Sequence, residues 1–384
     1  MSSHPAEIYM DYAATTPVAP EVREAMEPYW TQEFGNPSSR HRLGQRAARA
    51  VEEARAYVAE GIGADPQEII FTSGATEANN HAIFGVARRF RSKGRHMIVS
   101  AIEHPSVLEP ARALRHQEGF EVTYVGVDQE GRVEPKEVAE ALTDQTVLVA
   151  VMLANNEVGV IQPVAEIARL TRERGVCFLV DAVQAVGHIP VDVRELGVDL
   201  LSLSAHKFYG PKGVGALYVR KGVTLKPLLL GGDQEQGRRA STHHVAGIVG
   251  MRAALAFCLR HRSDEQNRLR RLRDKLLSGV PRAIEGARVT GSRVHRLPNN
   301  AHFVFRGIQA EALLMSLDME GFAVSMGSAC HAGAMEPSHV LKAMGVDEDW
   351  LQGALRITLG HWSTEEEVDR LLEVLPRTVE TLRF

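Results

Sequence analysis

No stretch of this sequence approaches the roughly 20 consecutive apolar residues that a bilayer-spanning helix requires, which argues against a helical membrane protein. The N-terminus, MSSHPAEIYMDYAATT, has neither the basic region nor the apolar core of a secretion signal. Together these two absences predict a cytoplasmic protein. A dominant charge is missing as well. The 44 basic and 48 acidic side chains leave a net charge of −4 with no long block of one sign, so neither nucleic acid nor an anionic membrane is an expected partner, and a small ligand is. Cysteine is scarce: Cys177, Cys258 and Cys330, odd in number and irregular in spacing, form neither a disulfide framework nor a CxxC metal clip. That suits a reducing compartment in which Cys330 stays a free thiol. Although there are sixteen histidines, no HxxxH pair occurs, and the neighbours His243 and His244, or Cys330 and His331, diverge in any regular element. No resident metal is predicted. Internal repeats and low-complexity tracts are also lacking.

What is present is a chain of 384 residues, 44% hydrophobic, long enough for a large domain with a smaller partner. LGQRAARAVEEARAYVAEGIG places Ala47, Val51, Ala54 and Val58 at helical spacing. Strand-like and helix-like segments then alternate: EIIFTS, ATEANNHAIFGVARRF, HMIVSAIE, PSVLEPARALRHQ, FEVTYVGV, and later the strands TVLVAVML, VCFLVD and DLLSLSAH. Continuous apolar strands with crossover helices predict an α/β fold whose mostly parallel sheet is covered on both faces. After about residue 260 the pattern changes. RSDEQNRLRRLRDKLLSGV reads as a charged amphipathic helix, followed by the shorter units NNAHFVFRG, AEALLMSLDMEG, ALRITLG and TEEEVDRLLEVLPRTVETL. These predict a smaller α+β domain joined by a helix.

Chemistry gathers at strand ends, where open α/β sheets bind ligands. EIIF runs into Thr72-Ser73-Gly74-Ala75-Thr76-Glu77, where a tight turn would leave the free N–H groups of a new helix as an anion cup. The same residues would also cap an ordinary helix. Lys207, in SLSAHKFYGPKGVGALYV, follows a strand end, where a buried amine needs neutralising or bonding. Covalent attachment to an aldehyde would do that; an exposed loop lysine needs nothing of the kind. Asp181 ends the apolar run VCFLVD and there requires a cationic partner, which a protonated pyridine nitrogen supplies as well as a metal would, unless the carboxylate caps the next helix. Taken in order, cup, aspartate and lysine describe pyridoxal 5'-phosphate.

Nine motifs carry a resemblance: YMDYAATTPV, FGNPSSRH, FTSGATEANN, EHPSV, NNEVGVIQP, DAVQAVG, SAHKFYGPKGVGALY, GRRAST and GSACHAGAMEPSHVL. From about Ile8 onward the chain resembles the cysteine desulfurases of the NifS/IscS type, in the class V aminotransferase group of fold-type I enzymes. The resemblance implies a large cofactor-binding domain over 16–258, and a small domain of 1–15 with 259–384 that carries the Cys330 loop. It implies that Lys207 bonds the cofactor aldehyde and that Asp181 faces the pyridinium. Ala75 N–H, Thr76, Ser204 and His206 are implied to hold the phosphate, with Asn156 and Gln184 near the phenolic oxygen. His104 resembles the histidine that stacks on the ring and takes part in proton transfer. Arg356 resembles the arginine that binds the substrate carboxylate, a task to which a guanidinium fork is suited. Thr242 resembles a threonine reaching the phosphate bound by the other subunit, which implies a homodimer. Here the chain departs from its relatives, which usually have Ser-Gly where it has Ala240-Ser241.

Cys330 sits among glycines and alanines in MGSACHAGAMEP, a composition that predicts a flexible loop. By resemblance it is the nucleophile that takes sulfur from L-cysteine as a persulfide, leaving L-alanine, and hands it to an acceptor protein, either an iron–sulfur scaffold or a tRNA-thiolation enzyme. The resemblance extends to a transient iron–sulfur cluster shared between Cys330 and such a partner. Cys177 and Cys258 read as packing residues. Two rival readings use part of the same sequence: a selenocysteine lyase or transaminase with the same cofactor, and a non-catalytic sulfur carrier, for which Asp181 and Lys207 would have no purpose.

Overall fold

The structure, a computed structural model, describes residues 7–326 and 337–383. Cys330 lies outside the described residues. Within them are the strands β1 (Ile8–Tyr9), β2 (Ile69–Thr72), β3 (His96–Ser100), β4 (Glu121–Val125), β5 (Thr146–Ala150), β6 (Cys177–Asp181), β7 (Leu200–Ser204), β8 (Gly215–Val219), β9 (Ala287–Val289), β10 (Asn300–Phe305), β11 (Phe322–Ala323) and β12 (Ala354–Thr358). Seven of these form one sheet in the order β2-β8-β7-β6-β5-β3-β4. β8 runs antiparallel to both its neighbours, while β7, β6, β5, β3 and β4 are mutually parallel. The expected mostly parallel sheet is therefore present, and the carboxyl ends of its parallel strands share one edge.

Both faces of the sheet are covered. Ile69 and Phe71 point into one apolar cluster with Val51, Ala54 and Val58 of the helix Arg42–Gly61, while Ile70 points into the opposite cluster with Ala78, Ala82 and Ile83 of the helix Ala75–Arg89. Burial on both sides is why these strands read as unbroken apolar runs. A third cluster joins Ile8 and Met10 to Leu272, Leu276, Phe303, Phe305 and Leu355, around the antiparallel sheet β12-β10-β9.

One helix, Val245–Ala283, runs through both regions. Its first part contributes Ile248, Met251 and Leu255 to the main core, and its last part Leu269, Leu272 and Leu276 to the third cluster. From the sequence, the charged part of this helix was expected over RSDEQNRLRRLRDKLLSGV. The structure begins the helix nearly five turns upstream of that, because between its two apolar stretches the chain has charged residues and no breaker. Among the described residues, no helix is long and apolar enough to cross a membrane.

Candidate active site

A cleft of about 1200 Å³ opens along the carboxyl edge of the sheet. Its floor comes from the ends of β6 and β7. Asp181, the last residue of β6, is buried, and both its carboxylate oxygens are held by neutral donors: Asn79 Nδ2 at 2.8 Å and the backbone N–H of Val183 at 3.0 Å. Lys207 follows β7 in a short 3-10 turn, Ala205–Lys207. Its Nζ donates to the carbonyls of Ala13 at 2.6 Å and Ala14 at 2.8 Å, and Gln184 Nε2 donates to the same Ala13 carbonyl at 3.0 Å. Burial lowers the Lys207 amine to about 8; the Arg356 charge adds to this, and Asp181 and Asp11 oppose it.

At one end of the cleft the helix Ala75–Arg89 begins, presenting Ala75 and Thr76, with Ser204 and His206 beside them. Gly74 precedes it at φ 154°, ψ 178°, a conformation that other residues essentially never take. A Cβ there would point toward Ser204 Oγ, 3.8 Å away, into the space that the helix N-terminus faces. Glu77 lies in this first turn with its charge matched by Arg239 at 2.7 Å. Burial alone would raise its pKa, but hydrogen bonds from Arg239 and from Ser73 keep it below the usual carboxylate range. His206 bonds Thr15 Oγ1 at 3.1 Å and is lowered to about 4 by burial and by the charges of Lys207 and Lys212, so its ring is neutral near pH 7.

The opposite wall brings in β12. Arg356 is buried, with one terminal nitrogen 2.7 Å from Asp11 Oδ1 and the other donating to the Asn156 carbonyl at 2.9 Å. Its Nε–H is buried without a hydrogen-bond partner among the described residues. His104 caps the helix Pro105–Glu118 and has its exposed side in the cleft. Although it is exposed to the cleft, its pKa is lowered by desolvation from the surrounding protein, with Asp181 opposing and Lys207 and His339 adding.

The family model for class V aminotransferases matches residues 8–371. The chain belongs to the class V aminotransferases. It is similar to the cysteine desulfurase IscS of Dictyoglomus turgidum, 50% identical over 377 residues that cover 98% of this chain and 95% of that one. Among solved structures it is similar to a NifS-like protein, at TM-score 0.92 and 40% identity, covering 98% of this chain and 100% of that one. It is also similar to SspA in complex with cysteine, at TM-score 0.82 and 35% identity, covering 93% and 99%.

Members of this family are pyridoxal phosphate enzymes, and the cleft of this class V aminotransferase fits that group on three counts. A buried carboxylate, Asp181, enters no ion pair among the described residues and so can take a ring N–H⁺. A helix N-terminus behind a glycine offers free N–H groups to a phosphate. An amine of lowered pKa lies between them.

Of the residues singled out in the sequence, Ala75, Thr76, His104, Asn156, Asp181, Gln184, Ser204, His206, Lys207 and Arg356 all line the cleft. Thr242 does not; it is exposed on the surface. Sequence reasoning missed Asn79, Glu103, Ser106 and Asp11. Asn79 was findable as a polar residue on the helix face otherwise made of Ala78, Ala82, Ile83 and Val86. Asp11 had no such signal, since its partner Arg356 lies 345 residues away.

Proposed function

We propose that this protein is a pyridoxal-phosphate-dependent cysteine desulfurase, converting L-cysteine to L-alanine and carrying the released sulfur as a persulfide on Cys330 to an acceptor protein. The observation that carries this reading is the convergence of Lys207, Asp181 and Arg356 on one cleft, in a chain half identical to a named cysteine desulfurase. When bound, the cofactor draws electrons from the substrate Cα and so weakens the bonds around it.

The chain's own residues do the rest. Lys207 holds the aldehyde, and an amine with pKa about 8 has a neutral, nucleophilic fraction near physiological pH. Asp181 keeps the ring nitrogen protonated. Ala75 N–H, Thr76, Ser204 and His206 hold the phosphate, and Asn156 and Gln184 orient the ring oxygen. Arg356 receives the substrate carboxylate, for which its Nε–H, without a partner among the described residues, is a ready donor. His104, in the same cleft, would pack against the cofactor and carry a proton there. The Cys330 thiolate attacks the substrate sulfur: the S–S bond forms, the substrate Cβ–S bond breaks, and its electron pair stays with the carbon skeleton, which is protonated and leaves as alanine.

The reading includes a homodimer in which Thr242 serves the partner's phosphate, supported by its exposure away from its own cleft. It includes a large domain of 16–258 and a small one of 1–15 with 259–384, supported by the packing of Ile8 and Met10 among residues beyond 268. A cytoplasmic enzyme passing sulfur to an iron–sulfur scaffold or a tRNA-thiolation enzyme completes it. Alanine and sulfide released from cysteine test the proposal. Cys330→Ala is expected to lower cysteine turnover at least about 10²-fold, while cofactor absorbance remains. Full turnover by that variant would remove the persulfide role, and exclusive use of selenocysteine would favour a selenocysteine lyase.

A further inference from the structure

Behind the cleft, three polar residues join the floor to the wall. Asn79 Nδ2 has two hydrogens and two acceptors: one goes to Asp181 Oδ2 at 2.8 Å, the other to Ser106 Oγ at 2.9 Å. Because a carboxylate only accepts, the amide nitrogen of Asn79 must face Asp181. Ser106 Oγ, already accepting from Asn79, lies 2.9 Å from His104 Nδ1 and has its own proton to give. The backbone N–H of Ser106 also donates to His104 Nδ1, at 3.1 Å. Two donors therefore converge on Nδ1, which must be a bare lone pair. The proton of a neutral ring then sits on Nε2.

All three links are sheltered: Asn79, Ser106 and Asp181 are buried. The charged and titratable groups facing the histidine are Asp181 from β6, Lys207 from beyond β7 and His339 from the helix His339–Ala343.

We propose that Asn79 and Ser106 are positioning residues that hold His104 as the Nε2–H tautomer, so that the ring offers the cleft a hydrogen-bond donor and not a base. The inference rests on the proposed function only for what that donor meets; the tautomer is a property of the chain. Asp181 fixes Asn79, Asn79 fixes the Ser106 hydroxyl, and that hydroxyl with its own N–H fixes Nδ1. A substrate group arriving at His104 meets an N–H. A base for the substrate must come from elsewhere, and the Lys207 amine, in the same cleft, would be able to act as one once released from the aldehyde.

The test is nitrogen NMR on full-length, cofactor-loaded protein labelled with ¹⁵N-histidine, the His104 signals being identified by their loss in His104→Gln. The expected result near pH 7 is a pyridine-like Nδ1 and a pyrrole-like Nε2. A protonated Nδ1, or an averaged mixture, would overturn the proposal. Asn79→Ala and Ser106→Ala are expected to blur the single tautomer and to lower kcat on the order of 10-fold with KM for cysteine little changed. Ser106→Thr, which keeps both donors, should restore the wild-type spectrum and rate. Retention of the pure tautomer in both alanine variants would remove the positioning role. Should cysteine not be turned over while the Nε2–H tautomer is found, the function fails and this assignment stands.

Discussion

Glu235 and Asp181 are both buried carboxylates, but the protein surrounds them differently. Glu235 lies in the segment after β8, where Arg55 reaches both its oxygens at 2.7 Å, His243 Nε2 approaches to 2.6 Å and the Phe71 N–H donates at 3.0 Å. Burial alone would raise its pKa; these partners bring it down to about 2. Asp181, on the cleft floor, has only an amide and a backbone N–H among the described residues. Nearby Glu103 is fully buried with no cation bonded to it among the described residues, and burial pushes it up to about 8 against the hydrogen bonds from Ser100 Oγ at 2.5 Å and the Met152 N–H at 2.7 Å. Cations matched to carboxylates make a fixed scaffold. Carboxylates left with neutral donors keep their capacity for an incoming cation or a proton, and of these two Asp181 lines the cleft.

The contrast can be broken most forcefully at the scaffold. Glu235→Gln leaves buried Arg55 with only the exposed Glu52 carboxylate, 3.2 Å from its Nε, as a charge partner among the described residues and should destabilise the fold by about 3 kcal/mol, read from chemical unfolding; a change under a tenth of that would mean that the ion cluster is not structural. A smaller effect sharpens the other side. Glu103 binds its proton more tightly folded than unfolded, since its pKa rises from 4.5 to about 8. Stability should therefore fall as pH rises through that window, by at most about 1.4 kcal/mol per unit, and be flat with respect to this group outside it. Glu103→Gln, which mimics the neutral acid, should flatten the slope in unfolding titrations between pH 5 and 8; an unchanged slope would assign it to other groups. The least effect concerns backbone strain beside the scaffold. Ser241 has φ 111°, a left-handed value that favours glycine. Ser241→Gly should raise stability by about 1 kcal/mol, seen as a higher melting temperature.

The uneven legibility of the sequence follows from the range of the forces involved. Lys207, Asp181 and the turn at Gly74 were readable because each stands where a local apolar run stops, and the parallel sheet then carries all three to one edge. The partners of those residues were not readable. Arg55 meets Glu235 across 180 residues and Asn79 meets Asp181 across 102; such pairs have no spacing that periodicity can reveal, and only the folded sheet brings them together. The continuity of the helix Val245–Ala283 was hidden for a different reason: its two ends pack into different cores, and no spacing reveals that LRHRSDEQNR, free of glycine and proline, joins them as one rod of good helix formers.

That rod, 39 residues and so roughly 58 Å long, has a mechanical consequence. One end is clamped among the residues behind Lys207, the other among those behind Arg356. Without a slack tether along this stretch, the two halves of the cleft cannot drift independently there. They can only pivot together about a stiff axle, and a slight torque at one clamp is felt as a change of gap at the other.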